Sequence, residues 1–480
     1  MKKMKKSQIL WLVLLIATLV LGAILIFSVV TYFNREGELS FGGKLRAEIF
    51  YFIVIFLLMI PVLLAGLLIA LLFSKKRSSE PQQIVAVSED GTLIPEDTAD
   101  SPVWFGFQPD SDRAEQAQDE HAERFCMLSQ IDRNSTSYGH TTYEKRVTLE
   151  SFCDDFRNYA ASKLRLYYDI EDIRRFVAGM AVSKLVILQG MSGTGKTSLA
   201  HAFGSFTDNA STVIPVQPMW KERTDLVGYY NEFTKRFNET LLLEKMYEAN
   251  YSKDIYITVL DEMNIARVEY YFAEFLSLLE LPNPDERYID VVSDKWASDP
   301  RQFKDGRIKL PENMWFVGTA NNDDSTFAIS DKVYDRAMIL NLDTKCERFA
   351  APTVSKKPIS ASDFTALVDK AIKEYGVSRR NAKRLEELDK YLIEHFHITF
   401  GNRIMKQINT YIPVYVACGG DELMALDDIL SKKVIRKLET QNPIYLRNSA
   451  EGLLSFIDDL FGVDKMPICK EHIHRLQRNA

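Results

Sequence analysis

KLVILQ (Lys184–Gln189) runs straight into GMSGTGKTS (Gly190–Ser198), and an apolar pattern at helical spacing follows. A short β-branched run, a glycine-rich loop and a helix are the three parts of a phosphate-binding loop, and the match to G-x-x-x-x-G-K-[ST] is complete. The glycines let backbone N–H groups wrap phosphate oxygens, and the helix N-terminus adds its positive end. Candidate contacts run through Gly190, Met191, Ser192, Gly193, Thr194, Gly195, Lys196, Thr197 and Ser198. Lys196 is expected to reach the β and γ oxygens, and Thr197 to ligate Mg²⁺. A fold built on a parallel sheet follows, because a strand feeding such a loop and helix is the start of a crossover unit.

Further along, IYITVL (Ile255–Leu260) reads as a buried strand that delivers Asp261 and Glu262 at its C-terminal end. Asp261 is expected to hold Mg²⁺ through water, and Glu262 to orient and polarise the attacking water. A third run, WFVGT (Trp315–Thr319), ends at Ala320-Asn321. Asn321 is either a turn residue or an amide beside the γ-phosphate. Asp335-Arg336 precedes the apolar run Met338–Leu342; Arg336 is either a surface arginine or a cation for a neighbouring subunit's γ-phosphate. YIDVV (Tyr288–Val292) and RIKL (Arg307–Leu310) can pair as a hairpin, whose basic residues are interleaved with acidic ones and fit a solvated hairpin best.

Together, the phosphate loop, LDEMN (Leu260–Asn264), GTAN (Gly318–Asn321) and the Asp335-Arg336 pair resemble the AAA+ ATPases of the dynein-related, MoxR and McrB-type branch. WKERTDLVGYYNEFTKRF (Trp220–Phe237) and NIARVEYYFAEFLSLLE (Asn264–Glu280) are similar to McrB-type restriction motors. The resemblance spans roughly residues 148 to 440. It implies that Asn321 is sensor 1, Arg336 an arginine finger acting in trans, and Arg403 in FGNRIMKQ (Phe400–Gln407) a sensor 2 candidate in the helical lid. It also implies a self-assembled ring, a hexamer, and a pore-facing position for the Tyr288–Leu310 hairpin. McrB-type GTPases carry an Asn-x-x-Asp-Arg signature; here Asn321-Asn322-Asp323-Asp324 is followed by Ser325, which moves the expected nucleotide from GTP to ATP with Mg²⁺.

On the N-terminal side, Ile9–Phe33 and Ile49–Phe73 are uncharged stretches of 25 residues each. As helices each covers about 37 Å, enough to span a bilayer with some tilt. Lys2, Lys3, Lys5 and Lys6 precede the first, and Lys75, Lys76 and Arg77 follow the second, so both ends are expected in the cytoplasm with Asn34–Glu48 outside. No ionisable residue lies inside either stretch, which favours an anchor in the lipid bilayer over a transporter. Glu80–Arg124 carries a net charge of −10 against −7 for the whole chain of 480 residues, so this segment is expected to repel anionic lipid and nucleic acid. Five scattered cysteines without C-x-x-C spacing exclude a disulfide framework and a structural zinc site.

The expected organisation is a transmembrane hairpin over 1–73, a largely flexible acidic linker over 74–147, an α/β core over 148–345, and an all-α lid with further C-terminal helices over 346–480. The basic end, Lys470–Arg478, reads as a solvated tail. The expected role is a membrane-anchored, ATP-driven remodeller of a protein or nucleic-acid partner, with a nuclease-like partner implied by the restriction-motor resemblance. A slow, nucleotide-gated assembly switch is the alternative.

Overall fold

The computed structural model describes residues 123–140, 142–321, 326–343 and 345–479. The two apolar stretches at 9–33 and 49–73 and the greater part of the acidic segment lie outside the described residues. Among the described residues, no helix is long and apolar enough to cross a membrane.

Three helices, α1 (Met127–Arg133), α2 (Leu149–Leu164) and α3 (Ile170–Val182), lead into β1 (Leu185–Gln189) and α4 (Lys196–Phe206). Next come β2 (Thr212–Pro215), α5 (Arg223–Val227), a hairpin of β3 (Gly228–Asn231) and β4 (Arg236–Glu239), and α6 (Leu241–Ala249). The chain continues through β5 (Tyr256–Asp261), α7 (Val268–Tyr271), α8 (Ala273–Glu280), the hairpin of β6 (Tyr288–Asp290) and β7 (Arg307–Lys309), β8 (Met314–Ala320), α9 (Asp331–Tyr334) and β9 (Met338–Asn341). The C-terminal helices are α10 (Ala361–Glu374), α11 (Arg379–Phe396), α12 (Gly401–Ala417), α13 (Glu422–Lys433), α14 (Pro443–Phe461) and α15 (Pro467–Asn479).

Five strands pair in parallel in the order β2-β5-β8-β1-β9. The central strands are buried on both faces, which explains their continuous apolar composition. Alternation then splits their side chains between two cores: Val186, Leu188, Val259 and Val317 join one, while Leu185, Ile187, Leu260 and Phe316 join the other. The chain leaves β1 toward β2 at one edge but crosses from β8 over β1 to β9 at the other. The crevice outside the C-terminal ends of β1 and β8 is therefore the topological switch point, where such sheets bind ligands.

The C-terminal helices pack on the α2 and α3 side of this sheet, and residues from Phe364 to Ile473 share one continuous core with the β1 face. A buried ionic cluster fastens them: Asp428 of α13 takes Lys432 at 2.6 Å, Arg175 of α3 at 3.2 Å and the Tyr411 hydroxyl at 2.7 Å. Breaking one partner of such a cluster would leave a buried charge uncompensated, which costs about 3–5 kcal/mol.

Two sequence expectations need correction. The segment read as linker up to residue 147 is ordered at its C-terminal end: Phe125, Leu128 and Ile131 are buried, and Asp132 accepts from the Tyr247 and Tyr251 hydroxyls at 2.6 and 2.5 Å. These apolar residues fill a pocket beside α6, and the acidic composition N-terminal to them masked that. Likewise Lys470–Arg478 is not a solvated tail but most of α15, with Cys469 and Ile473 buried against α13. The expected β6–β7 hairpin is present, in the register Ile289 to Ile308, and its Lys309 is neutralised by Asp285 and Glu312. Sequence reading did not foresee the β3–β4 hairpin, whose strands are only four residues each.

Candidate nucleotide site

The loop Gly190–Gly195 leaves the C-terminal end of β1 and enters α4 at Lys196. Gly190 adopts φ 142°, and a Cβ there would lie 2.3 Å from the Leu342 carbonyl oxygen, so the turn that starts the loop admits glycine alone. Tyr168 braces the far end of the loop by donating to the Gly195 carbonyl at 3.0 Å. Burial pushes the Tyr168 phenol up from its ordinary value, which keeps it a donor. Lys196 is buried and donates to the Gly190 and Met191 carbonyls at 3.0 and 2.8 Å. Its ammonium therefore sits inside the ring of loop backbone that wraps a phosphate in such motifs.

Asp261 ends β5 one strand away from β8, and its Oδ1 accepts from both Thr197 Oγ1 and Thr319 Oγ1 at 2.8 Å. The Glu262 amide in turn donates to Thr319 Oγ1 at 2.8 Å. Glu262 itself sits at φ 53°, ψ 45°, a left-handed conformation that is strained for a side chain of this size and turns the chain sharply after the strand. Its carboxylate is exposed and has no hydrogen bond or ion pair among the described residues. Gly318 leaves room on β8 for the Met263 side chain of this turn, whose Sδ would lie 1.9 Å from a Cβ there. Asn264 Nδ2 donates to the carbonyls of Asn321 and Phe327 at 2.9 and 3.2 Å, fixing the chain after β8 to the chain after β5.

The structure thus brings the loop, Lys196, Thr197, Asp261, Glu262 and Asn321 to one edge of the sheet. Thr319, Asn264 and Tyr168 were not singled out from sequence. A threonine and an asparagine inside the quoted GTAN and LDEMN stretches were the only signal for the first two.

Arg336 and Arg403 lie elsewhere. Met338 is level with Val186, and the Arg336 carbonyl accepts from Ser183 Oγ at 2.7 Å, so Arg336 stands at the N-terminal edge of the sheet. Gly190 is some six strand residues further along, about 20 Å at 3.3 Å per residue. The Arg336 side chain pairs with Glu280 at 2.8 Å, and Arg403 pairs with the other oxygen of the same carboxylate at 2.6 Å. The sensor 2 expectation for Arg403 is thereby corrected: from the first turn of α12 its side chain reaches Glu280 at the end of α8, and not its own phosphate loop.

A phosphate loop after β1, with carboxylates at the end of β5, makes this a P-loop nucleoside triphosphatase domain. More closely, residues 185–337 match the AAA domain of the dynein-related subfamily, and residues 353–480 match a domain of unknown function, DUF8727. No curated protein matches the chain. Among solved structures, a proposed ATPase from Cytophaga hutchinsonii is similar at 14% identity and TM-score 0.41, covering 72% of this chain and 98% of its own. A full-length MCM homolog from Methanopyrus kandleri is similar at 11% identity and TM-score 0.30, covering 65% of this chain and 58% of its own. Scores this low assign no function.

Proposed function

We propose that the chain is a membrane-anchored AAA+ ATPase that assembles into a ring, a hexamer by resemblance, and uses ATP hydrolysis to remodel a protein or nucleic-acid partner. The observation that carries the catalytic reading is the cluster of Thr197, Asp261 and Thr319 beside Lys196. A hydroxyl and a carboxylate 2.8 Å apart are hard oxygen donors suited to Mg²⁺ and its water shell. Bound there, Mg²⁺ would neutralise charge on the β and γ oxygens.

The remaining work falls to the chain. Lys196 exchanges the Gly190 and Met191 carbonyls for phosphate oxygens, and the backbone amides of the loop hold the other oxygens. Thr319 keeps Asp261 and the Glu262 backbone in register, so the exposed Glu262 carboxylate is free to take a proton from the attacking water. Asn321, held after β8 by the bond from Asn264 to its carbonyl, would approach the same water from the β8 side. Arg336, too far from its own loop, would complete the site of the next subunit.

The test uses the full-length chain from the membrane fraction. Wild-type protein hydrolyses ATP, Lys196→Ala loses nucleotide binding or hydrolysis, and Glu262→Gln keeps binding while turnover stops. A fully active Lys196→Ala would overturn the site, and a chain found wholly in the soluble fraction would overturn the anchor.

A further inference from the structure

We propose that Glu280 is a positioning residue for the inter-subunit active site: its carboxylate holds Arg336 and Arg403 together as a cationic pair for the triphosphate of a neighbouring copy. This rests on the reading that Arg336 acts in trans. Arg336 follows α9 and Arg403 opens α12, yet each places a nitrogen on its own oxygen of Glu280, at 2.8 and 2.6 Å. Arg336 is further fixed by its donation to the Lys332 carbonyl at 2.8 Å.

Glu280 is the last residue of α8, where the helix dipole disfavours a carboxylate. Its side chain is 28% exposed, although the residue as a whole lies at the surface. One negative charge between two guanidinium groups leaves a net positive pair, which suits an incoming anion better than a closed ion pair would. More cations surround it: Lys433 lies nearby and feels Arg403, Arg436 and Lys437, with Asp335 as the opposing charge. Without Glu280 the two guanidinium groups would repel each other and lose their shared anchor. With it, both guanidinium groups are drawn to one carboxylate, and a misplacement of about 1 Å in such a group can cost on the order of 10²-fold in rate.

The experiment measures kcat, KM and nucleotide affinity for full-length Glu280→Ala and Glu280→Gln, together with mixed assemblies. Glu280→Ala is expected to lower kcat about 10- to 100-fold with nucleotide affinity unchanged. Glu280→Gln, which keeps shape but not charge, should fall between. Because the defect lies in what a subunit donates, Glu280→Ala mixed with Lys196→Ala should regain activity: the second subunit still offers an intact arginine pair to the first one's intact loop. Wild-type or raised kcat in Glu280→Ala overturns the proposal. So does failure of that mixture while an Arg336→Ala and Lys196→Ala mixture recovers, since Glu280 would then serve its own subunit. If neither mixture recovers although mixed rings form, the shared-site reading falls and takes this inference with it.

Discussion

At the C-terminal edge of the sheet, Thr197 and Thr319 donate to Asp261 at 2.8 Å, and the Glu262 amide donates to Thr319 at 2.8 Å. At the N-terminal edge, Arg336 and Arg403 converge on Glu280. The first edge collects anionic and hydroxyl oxygens around a loop built for phosphate; the second collects cations with no phosphate loop of their own. In the proposed ring, a site that needs both chemistries and finds them at opposite ends of the same strands would be completed by stacking one copy on the next. The short reach of side chains compared with strand length is what makes this division informative.

The comparison breaks most decisively at Arg336. On the proposed reading, Lys196 and a bound Mg²⁺ would cover the negative charge of a departing γ-phosphate from one side, and an arginine from the neighbour would supply the other. Removing such a finger costs roughly 10³- to 10⁵-fold in rate. Arg336→Ala should therefore nearly stop hydrolysis while nucleotide affinity, measured on the same preparation, stays close to wild type. A large loss of affinity would mean that Arg336 serves its own loop.

A smaller effect is expected at the opposite edge from Thr319→Val. The substitution keeps the shape but removes the hydroxyl that donates to Asp261 and accepts from the Glu262 amide. Loss of one donor and one acceptor in a partly buried network costs about 2 kcal/mol, or some 30-fold in kcat if it falls on the transition state. Mixing with Lys196→Ala should give no recovery here, in contrast to Glu280→Ala, because Thr319 works within its own subunit. Recovery would show that the two edges are not divided as described.

The two edges also differ in how far the sequence revealed them. The phosphate loop was legible because backbone approach to phosphate demands glycines at fixed spacing, and the same stretch showed its strand and helix. Asp261 and Glu262 were legible from their place after an apolar run. Thr319 was not, since a threonine in a strand is an ordinary β-former. Glu280 was invisible: its partners lie 56 and 123 residues away, at Arg336 and Arg403, and only the tertiary fold brings them to one carboxylate. Arg403 was found by resemblance, but its location depended on how the C-terminal helices dock, which no local pattern encodes. The misreading of Lys470–Arg478 was avoidable. Cys469, Ile473 and Leu476 recur at helical spacing, and the first two are buried.

The smallest effect concerns Lys433, which sharpens the picture of the arginine edge as a place crowded with positive charge. Its ammonium is buried and donates to the carbonyls of Tyr334 and Ala337 at the end of α9. Burial first, and then Arg436, Arg403 and Lys437, push its pKa down to about 7, with Asp335 opposing. In the unfolded chain a lysine titrates near 10.4, so between these values the unfolded state binds a proton that the folded state has released. Stability from this group therefore rises with pH across that window, and the cost of burying the ammonium is largest below about pH 7. From pH 7 to 8.5 the gain should be on the order of 1 to 2 kcal/mol. Other groups titrate in the same range, so the informative quantity is the difference between wild type and Lys433→Met in chemical denaturation at each pH. Wild type should gain on the variant as pH rises; parallel profiles would mean that the surrounding cations leave Lys433 with an ordinary pKa and that the edge is better solvated than its packing implies.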